Sequence, residues 1–235
     1  MDFDAQKELY RRLETKRFKP SHVAEVGVYL PETSNIIDYI RAGVRATLVE
    51  PDPVSLKKIH AMFGELPNVH VEEVAVYDRV GTIQLSQRDA STFVSDLEAS
   101  PAIVNDGYQQ SEEDQFTVDC TTFDRIDDRS IDLLSVDTEG SEWFVLETML
   151  SRPRVISIET HGARYVNPHL DKIEGWMRDN GYVLFYKNRT DSVYVQPEAI
   201  TVTVGERLAA MWKGLWLGLR RWRKELQASL AGSGK

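Results

Sequence analysis

Four carboxylates of this chain stand where chemistry could use them. Glu25, Glu50, Asp137 and Glu159 each lie at or near the end of an apolar run: Val23-Ala24-Glu25-Val26-Gly27, Ala46-Thr47-Leu48-Val49-Glu50, Leu133-Leu134-Ser135-Val136-Asp137 and Val155-Ile156-Ser157-Ile158-Glu159. Such runs read as buried strands, and in sheets built from them ligands bind outside the carboxyl ends of the strands. The acids therefore converge on one rim. Gly27 lets a ligand approach the backbone without a Cβ in the way. Glu50 follows Glu25 by 25 residues, close to the spacing at which an acid meets ribose hydroxyls in nucleoside-binding sheets. His161, just beyond Glu159, adds a group that exchanges a proton near neutral pH.

The charge pattern discriminates among nucleoside ligands. A pyrophosphate-binding G-x-G-x-x-G turn needs three glycines, whereas Gly27 is followed by Val28-Tyr29-Leu30-Pro31-Glu32 and has Glu25 and Glu32 nearby. S-adenosylmethionine, with a ribose diol, an ammonium group and a sulfonium, suits such a rim better than NAD.

Alternating elements must position these residues. The apolar spacing predicts a helix over 4–16, then strand 22–28, helix 33–42, strand 45–50, helix 54–63 and strand 69–76. A short strand over 82–85 leads into a polar stretch, 86–115, that reads as a substrate lid or, alternatively, a disordered excursion. Strands at 116–120, 131–136 and 154–159, helices at 142–150 and 170–180, and a closing antiparallel pair at 182–186 and 192–196 complete the pattern. This is an α/β, Rossmann-like doubly wound fold with a mostly parallel seven-stranded sheet. The expected organisation is an N-terminal helix (1–20), the main domain (21–200) and a C-terminal helix (205–231).

Composition bounds the setting. Of 235 residues, 42% are hydrophobic and 28% charged, as in soluble globular proteins. Cys120 is the single cysteine, best placed in the core, and no Cys/His spacing suggests zinc. With no apolar leader and no run of about 18 apolar residues, a reducing, cytoplasmic setting is expected. The net charge of −9 hides an asymmetry: seven Lys/Arg against two Glu give 206–235 a balance of +5, leaving −14 for the rest. An acidic body excludes nucleic acid as a partner. In the tail, Leu208, Trp212, Leu215, Leu219, Trp222, Leu226 and Leu230 form a helical stripe opposite Lys213, Arg220, Arg221 and Lys224, with Leu217 on the polar side. Residues 206–230 could thus lie peripherally on the inner face of a membrane, pack on a second copy in a homo-oligomer, or pack on the body.

The run Asp132-Leu133-Leu134-Ser135-Val136-Asp137-Thr138-Glu139-Gly140-Ser141-Glu142-Trp143, with Val145-Leu146, resembles the FkbM-type S-adenosylmethionine-dependent methyltransferases. Supporting matches are Leu48-Val49-Glu50-Pro51-Asp52-Pro53, Ala75-Val76-Tyr77-Asp78, Ala90-Ser91-Thr92-Phe93, residues 118–124 and Ile156-Ser157-Ile158-Glu159-Thr160-His161. The departure is at the first glycine motif, where D-x-G-A-N-x-G becomes Glu25-Val26-Gly27-Val28-Tyr29-Leu30-Pro31. The resemblance implies that Glu25 and Gly27 face the methionine part of the cofactor, Glu50 the ribose, and Ala75 and Val76 the adenine, with Tyr29 and Pro51 also among the cofactor-binding residues. It sets Asp137 beside the methyl group and acceptor. His161 is then the preferred base, oriented by Glu159 or Asp137, and Glu139 a ligand for acceptor hydroxyls. A divalent ion on Asp137, Glu159 and His161 is compatible but not required. The implied activity is O-methylation of a sugar hydroxyl in a glycan or glycolipid. The alternatives are a degenerate methyltransferase fold serving as a tail-recruited scaffold, and a nucleotide-sugar enzyme.

Overall fold

The fold begins with α1 (Glu8–Thr15), β1 (His22–Val26), α2 (Ile37–Arg41), β2 (Arg45–Val49), α3 (Pro53–Phe63) and β3 (Val69–Glu72). It continues through β4 (Ala75–Val76), β5 (Gly81–Arg88), β6 (Ser91–Val94), β7 (Gln115–Thr121), β8 (Leu133–Val136), α4 (Glu142–Thr148) and β9 (Val155–Glu159). It ends with α5 (Leu170–Asp179), β10 (Val183–Lys187), β11 (Asp191–Val195) and α6 (Val204–Gly232). This computed structural model describes residues 6–88, 91–95, 104, 114–162 and 165–232, with backbone alone at 87, 88, 91, 92, 221 and 224–232.

The main sheet has seven strands in the order β10-β11-β9-β8-β1-β2-β3. Its five strands from β9 to β3 are parallel, and β11 runs antiparallel to both β9 and β10. Alternate residues feed opposite faces. Val23, Leu133 and Val155 join Leu9, Leu13 and Phe185 in one core, while Ala24, Leu134 and Ile156 join Val145, Ile173 and Met177 in the other. Burial on both faces explains the continuous apolar runs. Cys120 is 2% exposed, in a third cluster.

Two expectations are corrected here. The run 69–76 is two strands: β3 pairs with β2, whereas Ala75 and Val76 turn away to pair with Cys120 and Thr121 of β7. The short strand at 82–85 is the middle of β5, which pairs along its length with β7 and then with β6. A second sheet, β4-β7-β5-β6, results. The polar stretch 86–115 therefore starts as a hairpin that buries Phe93 and Val94; a lid reading of its remainder concerns residues that lie largely outside those described.

The C-terminal helix docks by the side opposite its apolar stripe. Among its described side chains Ala210 and Leu217 are the buried ones, 3% and 5% exposed, and a Cβ at Gly214 would stand 4.0 Å from Lys187 Cε. A Lys16–Glu206 ion pair of 2.8 Å holds the helix start. Leu208, Trp212, Leu215, Leu219 and Trp222, together with Met211 and Trp216, are 47–70% exposed. Among the described residues no helix is long and apolar enough to cross a membrane.

Candidate active site

The ends of β1, β2 and β8 open on one cavity of about 420 Å³, a size suited to a small ligand. Residues 25–29, 49–51 and 137–139 form its floor, residues 74–76 with Leu85, Phe93 and Val94 an apolar wall, and the β10–β11 turn at 188–191 the far rim. Nine sequence-expected residues line it: Glu25, Gly27, Tyr29, Glu50, Pro51, Ala75, Val76, Asp137 and Glu139. Glu159 and His161 do not; they lie behind it, 6% and 3% exposed.

Backbone hydrogen bonds set the floor. Gly27 N–H donates to Val49 O and Asp137 N–H to Val26 O, both at 2.9 Å, so the three strand ends are tied together. Gly27 takes φ +82°, and a Cβ there would stand 1.8 Å from the carbonyl oxygen of Asp137. Only glycine fits. Tyr29 and Glu139 are also left-handed, with φ of +51° and +56°, a conformation side chains adopt at a cost and keep where surrounding structure enforces it. The altered glycine motif leaves the cavity open, since Pro31 is buried at the start of a 3-10 turn, Pro31–Thr33, outside the lining.

Glu50, 4% exposed, holds this turn through both oxygens. Its Oε2 accepts from the N–H groups of Val28 (2.9 Å) and Tyr29 (2.8 Å), and Oε1 from that of Asp52 (2.9 Å). Burial raises its pKa while the three N–H donors oppose the rise. Asp52 caps α3 at Val54 N and Ser55 Oγ, both 2.9 Å.

Glu25 is 3% exposed and accepts from Ser34 Oγ–H and from Asn35 N–H at 2.8 Å. Burial pushes its carboxyl up to about 7 against these hydrogen bonds and the pull of Lys7. A carboxyl raised in the folded state adds stability that is complete below its unfolded pKa of about 4.5 and is lost as pH rises through about 7. The loss at pH 8 relative to pH 5 should reach about 3 kcal/mol. Glu25→Gln should remove that slope, which thermal midpoints at pH 5 and pH 8 will test; equal shifts in both proteins would refute the assignment.

Behind the floor the acids crowd. Asp137, Glu142 and Glu159 place ligand oxygens within 4.8 Å of one another. Burial first, then the neighbouring carboxylates, raises Asp137 and Glu159; burial likewise raises Glu142, opposed by hydrogen bonds. Glu142, an acid in the first turn of α4, accepts from the N–H groups of Thr138 (3.0 Å) and Gly140 (3.1 Å) and from the Asn167 amide. His161 Nδ1 lies 2.8 Å from Thr160 Oγ1, which in turn meets Ser192 Oγ at 2.6 Å. The β11 residue Asp191, absent from the sequence reading, lines the cavity with Asn188 Nδ2 donating to it at 2.8 Å. Leu85 and Asp191 reach the site through antiparallel pairings distant in sequence, Leu85 with Phe116 and Asp191 with Glu159, and the hairpins they belong to bring Phe93 and the 188–191 turn with them. The only local signal was the alternation of Ile83 and Leu85 with polar neighbours.

The lining has six acids (Glu8, Glu25, Glu50, Asp137, Glu139, Asp191) against Arg189 alone. Such a surface repels phosphate and favours neutral or cationic groups.

A family model for the methyltransferase FkbM domain matches residues 23–184. No curated protein matches the chain. Among solved structures, the FkbM methyltransferase from Methylobacillus flagellatus KT is similar at 14% identity and TM-score 0.48, covering 75% of this chain but only 43% of that one. A SAM-dependent methyltransferase from Aquifex aeolicus is similar at 11% identity and TM-score 0.40, covering 81% of this chain and 89% of that one. Likenesses that distant add no argument about the site. The family match is different in kind, because it spans the ends of β1, β2 and β8 that open on the cavity, and by it the chain belongs to the methyltransferase FkbM domain family.

Proposed function

We propose that this chain is an S-adenosylmethionine-dependent O-methyltransferase acting on a hydroxyl, with a sugar of a glycan or glycolipid as acceptor. The observation that carries the reading is Glu50, fixed beside the glycine turn of a cavity whose lining is acidic on its floor and apolar on one wall. That donor set fits the cofactor: Glu25 and the Gly27–Tyr29 turn suit its amino-acid end, Glu50 its ribose diol, and Ala75, Val76 and Phe93 its adenine. The cofactor, when bound, supplies an electrophilic methyl group on a sulfonium. The protein's tasks are to align the acceptor oxygen and to take its proton. Asp137, which lines the cavity, takes the proton at its carboxylate. A cation bound beside Asp137 favours the ionised form it needs. Glu139 binds acceptor hydroxyls, while Glu159 and His161 act through Asp137 as positioning residues. Calorimetry of the pure folded protein with S-adenosylhomocysteine tests the reading; no binding would end it.

The sugar acceptor draws on the family resemblance and on the tail. We propose that α6 lies in the headgroup layer of an anionic membrane and brings the enzyme to a lipid-linked acceptor. Support comes from three outward tryptophans, Trp212, Trp216 and Trp222, flanked by Lys213 and Arg220, which sit against the Trp216 ring at 5.1 and 5.5 Å. Indole favours the headgroup boundary and cations meet anionic lipid. Changing all three to Glu spares Ala210 and Leu217, which dock the helix, so folding should persist. Co-flotation with anionic liposomes should then fall at least about tenfold. Unchanged flotation would sink the membrane reading, and loss of a dimer in light scattering would put a second copy on that face instead.

A further inference from the structure

We propose that Asp137, Glu142 and Glu159 together hold one divalent cation, Mg²⁺ or Mn²⁺, at the inner end of the cavity. The three carboxylates arrive from the end of β8, the first turn of α4 and the end of β9, and their ligand oxygens lie within 4.8 Å of one another. Among the described residues none of the three forms an ion pair with a lysine or arginine. Three adjacent negative charges shielded from water require either a cation or bound protons.

A second observation favours the cation. Glu159 is 6% exposed, yet its Oε2, like Asp137 Oδ1, is buried without a hydrogen-bond partner among the described residues. Nearly all buried polar atoms have partners, so a carboxylate with an orphaned oxygen, set within 4.8 Å of two others, marks a place for a ligand. Glu142 shows the contrast. N–H donors on both its oxygens fix its direction, and the Asn167 amide that helps do so is itself oriented by His169 N–H donating to Asn167 Oδ1 at 2.8 Å. The set is all oxygen: the ligand atoms that come together are those of Asp137, Glu142 and Glu159, with Glu142 where the sequence reading had His161. Hard cations take such ligands, whereas zinc favours nitrogen and sulfur.

Because Asp137 also lines the cavity, a cation there stands where an acceptor hydroxyl could reach it and lose its proton more readily. That role rests on the methyltransferase reading; the binding site does not.

The test uses the full chain stripped with EDTA and titrated with Mn²⁺ alone, followed by the spin-resonance signal of free Mn²⁺ and by thermal unfolding. One ion per chain is expected, with the midpoint raised by roughly 5 °C at a hundredfold excess over Kd. In Glu159→Gln the Mn²⁺ shift should vanish while the midpoint in EDTA stays equal to or above that of the unaltered protein, because a repulsive charge has gone. Exposed Glu65→Gln serves as control and should keep the shift. No bound Mn²⁺ at 1 mM, or a shift that survives in both Glu159→Gln and Asp137→Asn, would overturn the proposal. S-adenosylhomocysteine binding measured in EDTA separates the two readings: binding without any Mn²⁺ site removes the cation and leaves the enzyme, whereas an Mn²⁺ site without that binding removes the enzyme and leaves the cation.

Discussion

Gly27→Ala should lower stability by more than about 3 kcal/mol and abolish binding of S-adenosylhomocysteine. Two effects combine. Alanine at φ +82° costs about 1 kcal/mol on its own. Its Cβ would also stand 1.8 Å from the carbonyl oxygen of Asp137, roughly half a normal contact distance, and neither partner is a side chain that can swing away. The end of β8 must move, which breaks the hydrogen bonds tying Asp137 N–H to Val26 O and Gly27 N–H to Val49 O. Gly43→Ala is the internal control, because Gly43 shares the left-handed conformation at φ +78° but has nothing within 4 Å of its would-be Cβ. It should cost only about 1 kcal/mol. Denaturant unfolding of both variants measures the steric part as their difference. Equal costs would show that the close approach of the two strand ends is wrong.

Glu50→Ala should weaken S-adenosylhomocysteine binding about 100-fold or more. Two charge-assisted hydrogen bonds to a ribose diol, at roughly 1.5–3 kcal/mol each, set that scale. The same change strands the N–H groups of Val28, Tyr29 and Asp52, so stability should also fall by about 1–3 kcal/mol. Glu50→Gln separates the two duties. Its remaining carbonyl oxygen can still hold part of the turn, so most stability should return, whereas the charge that strengthens the ribose contact does not. Calorimetry beside thermal unfolding will show whether affinity stays low as stability recovers. If affinity recovers in step, Glu50 only braces the turn and the ribose assignment fails.

Both predictions concern residues readable in the sequence, and for a common reason. A parallel strand buried on both faces leaves an uninterrupted apolar run, and the first polar residue after it must lie at the rim. Glu50 after Leu48-Val49 and Asp137 after Ser135-Val136 therefore announce their positions locally. His161 shows the limit of that logic. Its place after Glu159 put it near the rim, but it is buried outside the cavity lining, with its Nδ1 against Thr160 Oγ1. Glu142 is a first-turn acid of α4, and no local pattern announced that the fold turns it inward to 0% exposure.

Local periodicity by itself determined the order of strands and helices, the seven main strands and the acids that border one crevice. Only the tertiary structure decided that 69–76 divides between two sheets, that Glu142 joins Asp137 and Glu159, and that the described part of the α6 stripe, Leu208 to Trp222, faces outward while Leu217 docks. The physical reason is the same in each case. Periodicity states which residues share a face, but the partner of that face is chosen by contacts between segments far apart in the chain, such as Ala75 with Cys120 and Gly214 with Lys187. A small side chain or an unpaired strand edge, invisible as hydrophobicity, then decides which side closes against the body.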